Sequence, residues 1–310
     1  MNRITSLSRR CEEKDLATFH DLGRGGLPAM EIAPWGYQHD LIDRKAIVKL
    51  ITESGIKINS YHLRYDSHKY CNVSVLDEQL RKETVEAHAE HIRILSDLGV
   101  PIFVLHPSQE PIGEDREKFK EQTKKSFYSL AQVAKECGVR IAVENLCRTC
   151  LGNTIEELDE LISVDPSLCV CFDVNHLVTA PHEDFIHHFG KRIITTHISD
   201  FDYIDELHRI PGEGYIKWPS LMDAFDDVGY DGAMNYESHF GPIMEKYDRC
   251  GYMLAKIIVR NHELLEARKI PKYEDYADLG LTVNMENVAS MKRFDQMRLI
   301  RYFTGLEDED

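Results

Sequence analysis

Short apolar runs alternate with longer amphipathic stretches along most of this chain, and that alternation limits the fold more than any other feature. The strand-like runs are MEIA (30–33), IKINSY (56–61), PIFVL (101–105), VRIAV (139–143), LCVCF (168–172), RIITT (192–196) and GAMNY (232–236). Helix-like segments fall between them, among them 77–97, 115–136, 154–163, 217–228 and 242–265. Strands that alternate with helices imply βαβ units and a parallel sheet. The runs are short and nearly all apolar, as strands covered on both faces must be. Glycines recur where long helices should stop, at Gly99 and Gly138, matching a left-handed C-terminal cap.

Seven strands are clear, and an eighth near residues 3–7 (RITSL) is needed to close a barrel, although that segment is polar. An open doubly wound sheet would call for a glycine-rich turn after an early strand, but GRGG (23–26) precedes a strand instead. The expected fold is therefore α/β, a (β/α)8 TIM barrel with a C-terminal helical extension. The 310 residues suit one barrel of about 250 residues plus an addition. The barrel is expected over 1–266. The extension over 267–310 reads as an irregular connector (267–283), one helix (285–303) and an acidic tail.

Charge narrows the partners. With 53 acidic against 37 basic residues, the formal net charge is −16 and no Lys/Arg-rich run stands out. That argues against nucleic acid and anionic membranes as partners. No apolar run has transmembrane length, and the polar start MNRITSLSRRCEEKD lacks a secretory signal's apolar middle, so a cytoplasmic protein is expected. Eight cysteines in a chain this long do not make a disulfide framework, and a reducing compartment is the simpler expectation. Cys147 and Cys150 form an isolated C-R-T-C, without the second pair of a zinc ribbon, and read as a loop with two unremarkable thiols.

The polar residues that matter follow the strand-like runs. His62 follows INSY, His106 follows FVL and Glu144 follows IAV. Asp173 and His176 follow VCF, His197 follows ITT and Glu237 follows MNY. In a parallel barrel all these strand ends lie on one rim, where sites of this fold are built. Any one of them could be a rim residue or a helix cap, but six strands in succession are hard to explain that way. Crowded carboxylates repel, and a divalent cation turns that crowding into coordination. A shell of two Glu, one Asp and one His suits Mn2+, Mg2+ or Co2+ better than a thiolate-held structural zinc. Mn2+ is the first expectation, with Mg2+, Co2+ or Zn2+ as alternatives. The segment HRIPGEG (208–214) follows as a long strand-to-helix loop, in which Gly212 and Gly214 would let the backbone approach a ligand and Arg209 offers a planar donor fork.

The ordered motifs EIAPW (31–35), LHPS (105–108), VENL (143–146), FDVNH (172–176), THISD (196–200), HRIPGEG (208–214) and NYES (235–238) resemble the sugar phosphate isomerase/epimerase superfamily of xylose isomerase-like barrels. The resemblance covers roughly residues 28–265. It implies metal ligands at Glu144, Asp173, His197 and Glu237. In the ketose 3-epimerase branch the two glutamates are also the acid/base pair. His176 and Arg209 match that branch's substrate-binding positions. His62 and His106 fall where other members place hydroxyl-contacting or metal-binding histidines, and Trp35 resembles a wall residue. The implied chemistry is proton transfer beside a carbonyl of a small carbohydrate or polyol, with the metal as Lewis acid. The same superfamily holds lyases, among them keto-inositol and dehydroshikimate dehydratases and the metal subunit of C-glycoside deglycosidases, the last with a small companion subunit. It also holds an abasic-site endonuclease branch, which expects an Asp-x-His pair after the seventh strand. Here Asp205 and His208 are one residue too far apart for that pair. A homo-oligomer is a further expectation, from the additional C-terminal helix.

Overall fold

The computed structural model describes residues 3–9, 16–34, 43–65, 69–110, 115–203, 206–238 and 251–279. Eight parallel strands close into a barrel in sequence order: β1 (Ile4–Arg9), β2 (Ala29–Ile32), β3 (Lys57–His62), β4 (Ile102–Leu105), β5 (Arg140–Glu144), β6 (Cys169–Asp173), β7 (Ile193–Ile198) and β8 (Ala233–Tyr236). Each strand expected from the sequence is present, including the polar first one. The helices between them are α1 (Leu16–Arg24), α2 (Arg44–Glu53), α3 (Glu78–Ser96), α4 (Arg116–Cys137), α5 (Ile155–Ile162), α6 (His182–Phe189) and α7 (Trp218–Asp227), followed by α8 (Gly251–Glu266). Three of these, α1, α2 and α6, are not singled out in the sequence reading.

Local chemistry sets the helix ends. Asp77 caps α3 by accepting from Leu80 N at 2.9 Å, and Thr154 caps α5 by accepting from Glu157 N at 3.2 Å. Gly138 ends α4 at φ 67°, a left-handed conformation that glycine adopts without steric cost.

Strand parity sorts the side chains. Phe103 and Leu105 of β4, Ile141 and Val143 of β5, Val170 and Phe172 of β6, and Met234 and Tyr236 of β8 belong to the large core beneath the helices. The alternate residues Ile102, Val104, Ala142 and Cys171 form a second, smaller apolar cluster with Ile194. Successive side chains of a strand point to opposite faces, so this second cluster is the barrel's interior. Counting on by two from it reaches His106, Glu144 and Asp173, which is why those side chains stand inside the mouth.

The same parity explains the polar β1. Its register sets Ser8 beside Glu31 of β2, and Glu31 in turn sits beside Ser60 of β3. All three are hydrogen-bonded, with Ser60 Oγ donating to Glu31 at 2.7 Å and Ser8 Oγ at 3.1 Å. This side of the interior is polar, so its strand cannot show an apolar run. Before β1, the buried Arg3 guanidinium pairs with Asp226 of α7 and with Glu266 of α8 at 2.9 Å, locking the last helix against the first strand.

After α8 the connector is more ordered than the sequence suggests: Tyr273–Leu279 is a 3-10 helix whose buried Tyr276 hydroxyl accepts from Asn261 Nδ2 at 2.7 Å. The helix expected over 285–303 and the acidic tail lie outside the described residues, as do Trp35 and Asp205. No helix among the described residues is long and apolar enough to cross a membrane.

Candidate metal centre at the mouth of the barrel

Four donor atoms, one each from Glu144, Asp173, His197 and Glu237, lie within 4.8 Å of one another. Glu144 and Asp173 end β5 and β6, His197 sits one residue before the end of β7, and Glu237 follows β8. Glu144, Asp173 and His197 are buried and Glu237 is half-buried. His197 Nδ1 is 3.2 Å from Glu144 Oε1, 3.0 Å from Glu237 Oε2 and 3.6 Å from Asp173 Oδ2. Asp173 Oδ1 accepts from Asn175 N at 2.6 Å, whereas Oδ2 is buried with no hydrogen-bond partner. A buried carboxylate oxygen left unsatisfied among carboxylates is costly, and a cation among these four donors would remove that cost. The donor set, three carboxylates and one imidazole, fits a divalent ion of the Mn2+, Mg2+ or Co2+ type.

The protonation pattern points the same way. Burial penalises the His197 cation, yet Cys171, Glu144, Glu237 and Glu31 around it raise its pKa well above the ordinary value. Burial opposes ionisation of Glu237 too, but His197 and His208 bring its pKa down to about 2. Glu144 is likewise held well below the usual range, chiefly by His197 and His106 against the cost of burial. The charge of the carboxylates can thus be balanced by protons on imidazoles, or by a metal with the imidazoles neutral.

Glu31, which the sequence reading did not select, sets the ring of His197. Its Oε1 lies 3.0 Å from His197 Nε2. A carboxylate only accepts, so the ring proton belongs on Nε2 and the lone pair on Nδ1 faces the cluster. The signal was in the sequence: an acid between Met30 and Ile32, with the parity of the interior.

The remaining expected residues divide. His62 and His106 donate through Nε2 to Glu144 Oε2 at 3.2 and 3.1 Å, so both meet the cluster. His176 Nδ1 lies 3.2 Å from Glu144 Oε1 and 3.4 Å from Asp173 Oδ2. Arg209 is half-buried in the loop after β7, with its backbone paired to Asp200. Gly212 and Gly214 make close approaches to this chain itself. A Cβ on Gly212, at φ 102°, would strike the Pro271 carbonyl, and one on Gly214 would meet Asp200 and Phe201 O. The loop is tied by buried Asp200, which accepts from Gly212 N, Ile216 N and Trp218 Nε1 at 2.8, 3.1 and 2.9 Å.

His208 is paired to Glu206, two residues before it, with Nε2 to Oε1 at 2.6 Å. The acid-x-His spacing that seemed absent when counted from Asp205 is therefore present with a glutamate. A cavity of about 390 Å³ opens beside these residues, lined in part by Tyr65, His106, His176, Cys147 and Glu206.

An eight-stranded parallel barrel with a carboxylate–imidazole cluster at the C-terminal ends of its strands defines a class of α/β barrel proteins that place their sites on that face. Within that class the chain belongs to the xylose isomerase-like TIM barrel family, whose model matches residues 20–249. It is 28% identical over 195 residues to a D-psicose 3-epimerase of Ruminiclostridium cellulolyticum, covering 58% of this chain and 61% of that protein. It is also 28% identical over 177 residues to an uncharacterised protein of Methanocaldococcus jannaschii, covering 54% and 60%. The matches thus span about three fifths of these relatives' lengths. A solved D-tagatose 3-epimerase-like protein superposes with a TM-score of 0.70 at 22% identity, over 86% of this chain and 99% of that one, which establishes the fold.

Proposed function

We propose that this protein is a divalent-metal-dependent epimerase or isomerase of a small sugar or polyol that carries a carbonyl group. The observation that carries the proposal is the convergence of Glu144, Asp173, His197 and Glu237 at one point, with a buried Asp173 oxygen left unsatisfied. The similarity to a D-psicose 3-epimerase supports the same reading. Those four residues would hold the metal, which when bound supplies a Lewis acid for substrate oxygens.

Glu144 and Glu237 are the acid/base pair in this reading. One carboxylate takes the proton from the carbon beside the carbonyl, and the electron pair moves onto the carbonyl oxygen. The other delivers a proton to the opposite face, inverting the centre, or to the neighbouring carbon, giving an isomer. Both glutamates are held well below the usual carboxylate range, so either can serve as the base at neutral pH, and the one that delivers must first take up a proton when substrate binds and is left as the carboxylate afterwards. His62 and His106 orient Glu144 through its Oε2. His176, Arg209 and Trp35 complete the substrate-binding set.

The test is solvent exchange. The Mn2+-loaded protein is incubated with a panel of ketoses, an inosose and glycosides in D2O. Deuterium should enter beside a carbonyl with the wild type and be lost in Glu144→Gln. Identification of the product then separates an epimerase from a lyase. A metal-loaded protein that exchanges no proton on any member of the panel would sink the proposal.

A further inference from the structure

The barrel interior beneath the donor cluster has two unlike sides. From β4 to β7 it is apolar, made by Ile102, Val104, Ala142, Cys171 and Ile194. From β8 through β1 and β2 to β3 it is polar. Leu7 of β1 and Met234 and Tyr236 of β8 pack outward in the large core, so Ser6 and Asn235 point inward by strand parity. Most polar groups on this side bond one another. Ser8 and Ser60 donate to Glu31, and Asn59 Nδ2 donates to Ser60 Oγ at 3.1 Å and to Thr195 Oγ1 at 3.2 Å.

Ser6 and Asn235 are the exception. Both are fully buried, and Ser6 Oγ, Asn235 Oδ1 and Asn235 Nδ2 have no hydrogen-bond partner. The register of β1 against β8 sets the two residues side by side. Turning the amide over changes nothing, because both of its ends lack a partner. The polar neighbours are already engaged. His197, the register partner of Asn235 on β7, has Nε2 on Glu31 and Nδ1 on the carboxylates of the cluster. Three buried polar atoms left unsatisfied are costly. Oδ1 only accepts, Nδ2 only donates and the hydroxyl does both, so one kind of partner must be able to donate and accept. Water is the small molecule that does so. The inward side chains next to this point are small: Ala29 pairs with Ser6 on β2, and Ala233 stands two residues before Asn235.

We propose that Ser6 and Asn235 hold at least one internal water inside the barrel, one layer below Glu237, which follows Asn235 by two residues. The water donates to Asn235 Oδ1 or accepts from Nδ2, and shares a hydrogen bond with Ser6 Oγ. The seam between the first and last strands is then bridged inside the barrel as well as along the backbone. The donor cluster above has a hydrated floor towards β8 and β1 and a dry one towards β4, β5 and β6.

The test is made on the full chain without substrate. In its crystal structure a water should lie within hydrogen-bond distance of Ser6 Oγ and of one Asn235 amide atom. In solution, oxygen-17 relaxation dispersion of water counts slowly exchanging internal waters, and in Mg2+ buffer no paramagnetic ion contributes. Asn235→Leu, which keeps the size of the side chain and removes both polar atoms, should lower the dispersion by the share of at least one water. Ser6→Val, which fills the space and removes the hydroxyl, should do the same. Thermal melts identify the folded variants, and either one suffices. A crystal structure in which Ser6 and Asn235 bond each other or other protein groups, with no water between them, overturns the proposal. An unchanged dispersion in a folded variant overturns it as well. Neither measurement reads turnover, so failure of the epimerase reading would leave their outcome untouched.

Discussion

Replacing Glu31 should weaken metal binding without touching any proposed ligand. Glu31 is fully buried and receives three bonds: His197 Nε2 at 3.0 Å, Ser60 Oγ at 2.7 Å and Ser8 Oγ at 3.1 Å. Its negative charge raises the basicity of the His197 ring and fixes the tautomer that turns Nδ1 towards Glu144, Asp173 and Glu237. Loss of such an outer carboxylate typically costs about 10–100-fold in metal affinity, or about 1.4–2.7 kcal/mol. Glu31→Gln should fall at the lower end, because the amide oxygen still accepts from Nε2 while the charge is gone. Glu31→Ala should reach the upper end, since the ring then loses its partner. Ser8→Ala removes one bond to Glu31 but keeps the carboxylate's charge and its contact with His197, so it should change affinity by no more than about 1 kcal/mol. Mn2+ binding at fixed pH, read from the free-ion electron paramagnetic resonance signal, gives all three constants, with thermal melts confirming the fold. A folded Glu31→Ala protein that binds Mn2+ as tightly as the wild type would show that barrel packing alone orients His197, and the argument from Glu31 would be wrong.

Three further outcomes are expected. Metal binding should release protons at pH 7, because the neighbouring carboxylates raise the pKa of His197 and His176 well above 6.5 despite burial; affinity should therefore climb with pH. Calorimetry in two buffers of different ionisation enthalpy reads this directly, and equal heats in both would contradict it. Burial, then His91 and Arg64, lowers the pKa of His88 to about 3, below the roughly 6.5 of the unfolded chain. Between those values only the unfolded chain binds the proton, so stability is full above pH 6.5 and falls as pH drops, by up to about 1.4 kcal/mol per unit. His88→Leu should flatten the urea stability profile in that window, and an unchanged slope would refute it. Phe172 is fully buried, with its ring stacked on Phe185 at 4.3 Å between β6 and α6, so Phe172→Ala should cost about 3–5 kcal/mol in urea unfolding. A loss below 1 kcal/mol would mean that this interface repacks.

Much of the barrel was legible in the chain because strands covered on both faces must be apolar throughout, and LCVCF or VRIAV followed by an acid can hardly be anything else. The polar residue after each strand marked the rim for the same reason: once the fold is a parallel barrel, strand ends converge. The first strand was hard to read because its partners inside the barrel are polar. Ser8 faces Glu31, which in turn faces Ser60, so this strand carries no apolar run.

Residue order alone fixed which side chains share the mouth; only the tertiary structure decided which atoms meet there. Strand parity and the shift of each strand against the next bring Glu31 from β2 onto the far side of a β7 histidine, 166 positions along the chain. The loop after β7 folds back so that Glu206 pairs with His208, and Gly212 and Gly214 close on the protein's own chain. The curled C-R-T-C loop brings Cys147 against Glu206 from 59 residues away. Such contacts depend on distances of a few tenths of an ångström between strands and loops remote in sequence, and no local pattern of residue types encodes those distances.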